Sequence, residues 1–445
     1  MRLHPRELSA PAFRRVAAAG LGMALHLGVP AAGRAQQAMA VAPESTLTRG
    51  LEIAARYRVS AIDDRRFTHR QFWDAVAPSL RSAAFRTEEI GRSIQGREIR
   101  AVTFGTGPVR VLLWSQMHGD EATATMALAD IFRFLADAGP DPLRERLRRS
   151  LTIVFVPLLN PDGAELFQRE NAAGVDVNRD GRRLATPEAR ALKGIRDRVE
   201  PHFGFNLHDQ GARTRVGRTG RQAALALLAP AYDAERSYNE VRSRARLVAA
   251  TIATILAPEL DGRIAKYDDT FNPRAVGDLM QTWGASTVLI ESGALPDDPD
   301  KQRLRALHVP AILGALDAIA TRTYESADPA AYDSLPFNTG GATDLMLRGG
   351  SLVLPGMPPV RADVALNFED AVARRDGRVR EVGDLDGAIA IDTMDVSGLY
   401  IHPRPAALER RDGGSWLRIG APAAFDIRRG ADPASELVRR LGAED

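Results

Sequence analysis

His118 and Glu121 stand three residues apart in Gln116-Met117-His118-Gly119-Asp120-Glu121. A neutral imidazole nitrogen and a carboxylate oxygen form a good pair for zinc, and a turn into a helix lets both reach one point. Alone, His-x-x-Glu is mostly a chance pair on a helix. His208, at the end of Phe203-Gly204-Phe205-Asn206-Leu207-His208, supplies a distant third donor. Two His and one Glu leave a fourth position for water, the mark of a catalytic rather than a structural ion. The plainer reading of His208 is a strand-end imidazole bonded to Asp209 or to backbone. Glu291, in Val288-Leu289-Ile290-Glu291-Ser292-Gly293, is a carboxylate in an apolar context, costly without a task or a partner. Beside such an ion it would act as general base and then pass the proton to a leaving amine. Its plainer reading is a strand-edge Glu paired with an arginine. A fourth segment runs from Asn160-Pro161-Asp162-Gly163 through Arg169 and Asn171 to Gly174-Val175-Asp176-Val177-Asn178-Arg179. Guanidinium groups there can grip a substrate carboxylate or stabilise an oxyanion, although arginine is abundant throughout the chain.

These groups need rigid elements behind them. Residues 99–104 alternate in polarity and read as a strand. Val109 to Trp114 and Leu151 to Leu159 read as buried strands, with shorter ones at 203–207 and 286–290. Helical periodicity falls at 122–138, 187–200, 238–257 and 301–321. Strands alternating with helices imply an α/β fold, with a mixed, largely parallel sheet and helices on both faces. The four candidate segments then lie beyond the carboxyl ends of strands, where open α/β sheets bind ligands. After about Thr323 the chain is rich in Gly, Pro and Asp, with short apolar runs at 351–354, 388–391 and 416–419. Turn signals at Asp376-Gly377, Asp386-Gly387 and Asp412-Gly413 separate such runs. A smaller β-rich domain is expected over 325–445, after a catalytic domain over 46–322.

Taken together, the ordered segments resemble the zinc metallocarboxypeptidases of the carboxypeptidase A family, in a bacterial form. The resemblance covers about residues 46–322. It begins at Gly91-Arg92-Ser93-Ile94-Gln95-Gly96-Arg97 and continues through His118-x-x-Glu121, Asn160-Pro161-Asp162-Gly163, Val175-Asp176-Val177-Asn178-Arg179, Leu207-His208 and Ile290-Glu291-Ser292-Gly293. It implies one zinc ion on His118, Glu121 and His208, with Glu291 as general base. It implies Arg169 as oxyanion stabiliser, and Asn178 with Arg179 as the grip on a peptide's free C-terminal carboxylate. The substrate-capping tyrosine of the family is matched only by Tyr267, in an uncertain register. Residues 271–278 fall where the specificity pocket is expected: Arg274 would favour an acidic terminal residue, Asp278 a basic one. An amidase or deacylase of the same site architecture, acting on peptidoglycan peptides or N-acyl amino acids, is the first rival. An inactive peptide-binding homologue is the second, and the full residue set speaks against it.

Composition narrows the partners. The 445 residues are 44% hydrophobic and 26% charged, as in ordinary globular chains, with a formal net charge of only +2. No basic tract interleaved with aromatics stands out, so nucleic acid is not an expected partner. Arg144 to Arg149 reads as the solvated face of a helix. Cysteine is absent, which excludes disulfides, thiolate nucleophiles and cysteine-based metal sites. Arg2, Arg6, Arg14 and Arg15 precede an apolar stretch from Val16 to Val29, and Gly33-Arg34-Ala35 follows. That is a secretory signal pattern over 1–35, giving a periplasmic or secreted protein whose mature chain starts with a disordered stretch over 36–45. No later segment is expected to cross a membrane.

Overall fold

Along the third strand of the main sheet, Val111 and Leu113 enter one apolar core while Leu112 and Trp114 enter another. That alternation is the two-residue period of a strand buried on both faces. The computed structural model describes residues 43–260, 262–411 and 414–442. The expected signal segment and the Asp412-Gly413 turn lie outside them. The main sheet uses β1 (Phe85–Arg92), β2 (Glu98–Phe104), β3 (Val109–Ser115), β4 (Leu151–Val156) and β5 (Phe203–Asp209). A short strand β6 (Arg215–Val216) stands apart. The main sheet resumes with β7 (Leu225–Leu228), β8 (Ile264–Lys266) and β9 (Ser286–Ser292). The sheet order is β1-β2-β4-β3-β5-β9-β7-β8. Its centre, β4-β3-β5-β9, is parallel, and the flanks bring in antiparallel pairs at β1/β2, β2/β4 and β7/β9. The expected mixed α/β sheet is what forms.

Helices Pro43–Arg56, His69–Leu80, Thr123–Ala136, Glu240–Leu260 and Gln302–Thr321 supply residues to the larger core, and helices Pro187–Val199 and Val276–Thr282 to the smaller one. Local chemistry marks several starts. Thr68 and Gln71 form a capping box, Asp141 caps Pro142–Ser150, and Thr186 caps Pro187–Val199 with proline in the first turn.

Several expectations are corrected. The strand expected to reach Leu159 stops at Val156, because Pro157 cannot donate to a ladder. The helix from Pro43 takes up the last residues of the stretch expected to be disordered. Arg144 is buried, its Nη1 donating to the carbonyls of Asp137 and Gly139, so that arginine run is not wholly solvated. Helix Gln302–Thr321 is long and apolar enough to cross a membrane by composition, but 78% of its window is buried inside the protein. Beyond the main sheet, β10 (Asn338–Thr339) pairs with β6. Strands from Thr343 to Leu441 then build a four-stranded sheet, a five-stranded sheet and a hairpin, packed around Leu347, Val364, Ile401 and Phe425.

Candidate metal centre and substrate cavity

β3, β5 and β9 end side by side, and their register places the key residues. His208 stands directly opposite Glu291 across β5 and β9, so their side chains share one face. After β3, Gln116 takes a left-handed conformation with φ 50° and turns the chain so that His118 re-enters the sheet end. Gln116 Nε2 holds the Gly119 carbonyl at 2.8 Å. The turn is seated on the Asn160–Gly163 segment. A side-chain carbon on Gly119 would fall 2.0 Å from the Gly163 backbone, so the two motifs touch backbone to backbone and only glycine fits.

His118, Glu121 and His208 converge, each nearly buried, with one donor atom from each within 4.8 Å of the others. His118 Nδ1 lies 2.7 Å from Glu121 Oε1, and His208 Nδ1 lies 2.6 Å from Glu121 Oε2. The two Nδ1 atoms face each other at 3.2 Å. Asp176 Oδ1 lies 3.1 Å from His118 Nε2. With the Nε2 proton donated there, the Nδ1 lone pair faces a carboxylate oxygen, acceptor against acceptor. A cation or a proton between them resolves the conflict. Without a cation, His118 is pushed up to about 9: burial lowers it, but Glu121 and Asp176 outweigh burial. Glu121 is depressed below the usual carboxylate range despite burial, because both imidazoles favour its charge. Two imidazoles, one carboxylate and a carboxylate behind the first imidazole fit zinc by donor chemistry.

Asp176 is the junction of the site, a role its place in the sequence motif did not disclose. It caps the turn Val177–Arg179 by accepting from Asn178 N at 2.8 Å. Its Oδ2 accepts from Arg169 Nε and Nη2 at 3.1 and 2.9 Å. Arg169 Nη1 sits 3.1 Å from His118 Nδ1 and 3.4 Å from Glu121 Oε1. One carboxylate therefore orients a candidate ligand, the candidate oxyanion arginine and the turn carrying Asn178 and Arg179. Its side chain falls below the usual carboxylate range: burial opposes this, but His118 and Arg169 overcome it.

Glu291 is 8% exposed and its carboxyl is raised well above the ordinary value, first by burial and then by the nearby Glu121 charge. Tyr267 follows β8, its N–H bonded to Leu227 O at 2.9 Å. Its hydroxyl is pushed up to about 12, chiefly by the Glu291 charge and then by burial. The tyrosine of uncertain register thus lies at the site. A cavity of about 580 Å³ is lined by His118, Glu121, Arg169, Asn178, Arg179 and Glu291, and also by Tyr267 and Asp278. All eight candidate residues from the sequence line it or abut it, His208 through its contacts with His118 and Glu121. Asn178 Oδ1 accepts from Val276 N at 2.9 Å, so the turn carrying Asn178 and Arg179 docks the helix that carries Asp278. Asp278 is 8% exposed and accepts from Asn272 N at 2.6 Å. Among the described residues no cation lies within ion-pairing distance of it. Burial raises its carboxyl to about 6. Arg274, the other residue the sequence offered for the terminal side chain, is exposed and lies off the cavity lining.

Parts of this chain are similar to known proteins. Residues 70–215 match the family model described as zinc carboxypeptidase. Carboxypeptidase 2 of Trichophyton tonsurans is 31% identical over 109 residues, 24% of this chain and 20% of that protein. Human carboxypeptidase Z is 28% identical over 141 residues, 26% of this chain and 22% of that one. The matches thus span only about a fifth of these relatives' length. A metallo-carboxypeptidase from Burkholderia cenocepacia superposes with a TM-score of 0.46 at 19% identity, over 57% of this chain and 70% of that one.

Proposed function

We propose, on the premise that residues 70–215 belong to the zinc carboxypeptidase family, that this chain hydrolyses the C-terminal peptide bond of peptides with a basic last residue. The observation that carries the reading is Glu291 in register with His208, in one cavity with Arg179 and Asp278. His118, Glu121 and His208 would hold one zinc ion, which supplies Lewis-acid polarisation of a carbonyl and an acidified water. Glu291 accepts the proton of the attacking water and delivers it to the departing amine nitrogen. Arg169, braced by Asp176, faces the charge that develops on the carbonyl oxygen. Asn178 and Arg179 bind the free carboxylate, which confines cleavage to chain ends. Tyr267 closes over the substrate beside Glu291. Asp278, a buried carboxylate with no ion-pair partner among the described residues, receives the ammonium or guanidinium of the terminal side chain.

Product analysis on a peptide mixture, with and without a zinc chelator, tests the reading. Chelator-sensitive release of single C-terminal residues supports it. Cleavage of amidated peptides as readily as free acids would favour the amidase alternative. Arg179→Ala is expected to act mainly on KM for free-acid substrates, raising it roughly 10- to 100-fold for a lost charged hydrogen-bond pair. Asp176→Asn is expected to weaken zinc binding roughly 10- to 100-fold, measured by competition with a chromogenic chelator. A periplasmic or secreted site of action rests on the Arg2-to-Ala35 pattern. Sequencing the mature N-terminus should then begin at Gln36.

A further inference from the structure

Phe167 takes a backbone conformation that bulky residues rarely adopt. It ends the helix Pro161–Leu166 in the left-handed region, with φ 48° and ψ 53°. Helices that end this way usually do so on glycine, which has no side chain to clash. A bulky residue persists there only where its surroundings over-determine it. Arg169, the candidate oxyanion arginine, follows two residues later. Gln168 N returns to Gly163 O at 3.0 Å, and Arg169 O accepts from Asn160 Nδ2 at 3.3 Å and from Gly119 N at 3.4 Å. Those bonds secure the backbone of this turn but leave the Phe167 ring to other contacts.

Two guanidinium groups meet that ring. Arg66 Cζ stands 4.5 Å and Arg65 Cζ 5.2 Å from its centroid, within the range of cation–π attraction. Both arginines are fastened from outside the main sheet, by Asp370 at the end of the strand Asp363–Asp370 in the C-terminal β region. Arg65 Nη2 donates to Asp370 Oδ1 at 2.6 Å and Arg66 Nη2 to Oδ2 at 3.4 Å. The Arg65 and Asp370 side chains are only 10% and 12% exposed, so this pair differs from the solvated ion pairs that contribute little. Ala373 N and Arg375 Nη2 also donate to Asp370, at 3.1 and 3.0 Å. Burial opposes the charge, but these donors and Arg65 hold the carboxyl down at about 2. Two residues earlier, Phe368 O accepts from Arg213, and Phe368 N donates at 2.6 Å to the Asp344 oxygen that Arg213 Nε reaches at 2.9 Å. Arg213 lies five residues after His208. The strand end is therefore tied at two points, to the segment after His208 and to the arginines over Phe167.

Resting on the carboxypeptidase reading above, we propose that Asp370 is a positioning residue for the reaction: through Arg65 and Arg66 it clamps Phe167 and thereby sets the direction of the Arg169 guanidinium. The C-terminal β region thus completes the oxyanion site without touching substrate. The test measures Asp370→Asn and Phe167→Leu in the full chain, each in the native and in the Arg169→Ala background, on a peptide ending in Lys. Asparagine keeps the shape and drops the charge; leucine keeps an apolar side chain and drops the ring. Either substitution is expected to lower kcat about tenfold while KM stays within about twofold. Retained zinc and a cooperative thermal transition show that the variants are folded. In the Arg169→Ala background neither substitution should lower kcat further, because residues that act as a unit are not additive. Native kcat in both variants, or the same proportional fall in both backgrounds, overturns the proposal. Calorimetric affinity for a peptide phosphonate, which carries a charged oxygen on a tetrahedral centre, gives a readout without turnover. Asp370→Asn should weaken it about tenfold and leave N-acetyl-lysine binding unchanged; an equal loss for both ligands overturns the proposal. Where Asp370→Asn fails to fold, Phe167→Leu decides by the same measures. Native kcat in Arg169→Ala removes the oxyanion role of Arg169 and the positioning role with it. Failure of the native chain to cleave any peptide overturns the carboxypeptidase reading itself.

Discussion

Glu291→Gln is expected to keep its zinc and lose roughly 10³-fold or more in kcat. The substitution preserves shape and strand register, so the backbone pairing with His208 and Ala226 survives. Glutamine can still accept a hydrogen bond, but it cannot take a proton from water and return it to nitrogen. Metal analysis of the purified variant beside single-turnover kinetics separates the two effects. Retained zinc with kcat within tenfold of native would remove Glu291 as the base. Zinc lost together with activity would make Glu291 part of the binding set rather than the proton carrier.

Asp278→Asn should reorder substrate choice. A buried carboxylate paired only by the substrate's cation is worth about 2–5 kcal/mol when one partner is truncated. The kcat/KM for peptides ending in Lys or Arg should therefore fall roughly 30-fold or more, while peptides ending in Leu hold or improve. Acidity should mimic the substitution. Burial raises the Asp278 carboxyl to about 6 from the ordinary 3.8, so it is charged above that pH and neutral below. Preference for basic over apolar termini should accordingly decline as pH falls through about 6. The sign for stability is opposite. A carboxyl whose folded value is raised destabilises the fold once it must ionise, so its cost grows as pH rises from about 3.8 to 6 and persists above. Asp278→Asn should be more stable than native in urea at pH 7.5, by at most roughly 3 kcal/mol, with the difference vanishing near pH 4. A variant no more stable at pH 7.5, with unchanged substrate ranking, would show that Asp278 is solvated and idle.

Much of the site was legible because its residues follow strand ends. His118, His208 and Glu291 sit beyond or at the ends of β3, β5 and β9, and the apolar runs of those strands stand out in the sequence. β1, β7 and β8 were not visible. Phe85–Arg92 is a half-exposed edge strand with mixed polarity, and Leu225–Leu228 and Ile264–Lys266 are too short to show a period. Asp176 sits in its motif with no role visible in the sequence, since its tasks depend on contacts with His118 and Arg169 that spacing does not reveal. Its position two residues before Asn178, as a cap for that turn, was the available signal. Lys301, one of only three lysines with Lys193 and Lys266, donates to the Asp209 carboxylate some ninety positions away, beyond the reach of any local pattern. Asp278 and Arg274 were equal candidates on sequence. Burial separates them: the helix Val276–Thr282 carries Asp278 inward, while Arg274, ahead of that helix, is exposed.

The pairing of Asn338–Thr339 with Arg215–Val216 bears on how such a chain can be cut and recombined. A gene fragment ending near residue 322 would retain every candidate metal and proton-transfer residue, yet strip backbone partners from Gly217 and Lys266. The turn after β6 and the end of β8 would then present bare amides to solvent or to another chain. The transplantable module, for fusion or domain exchange, is the whole span from the first described helix through the last strand, and a graft that swaps the β region as a cassette must carry its complementary loops along.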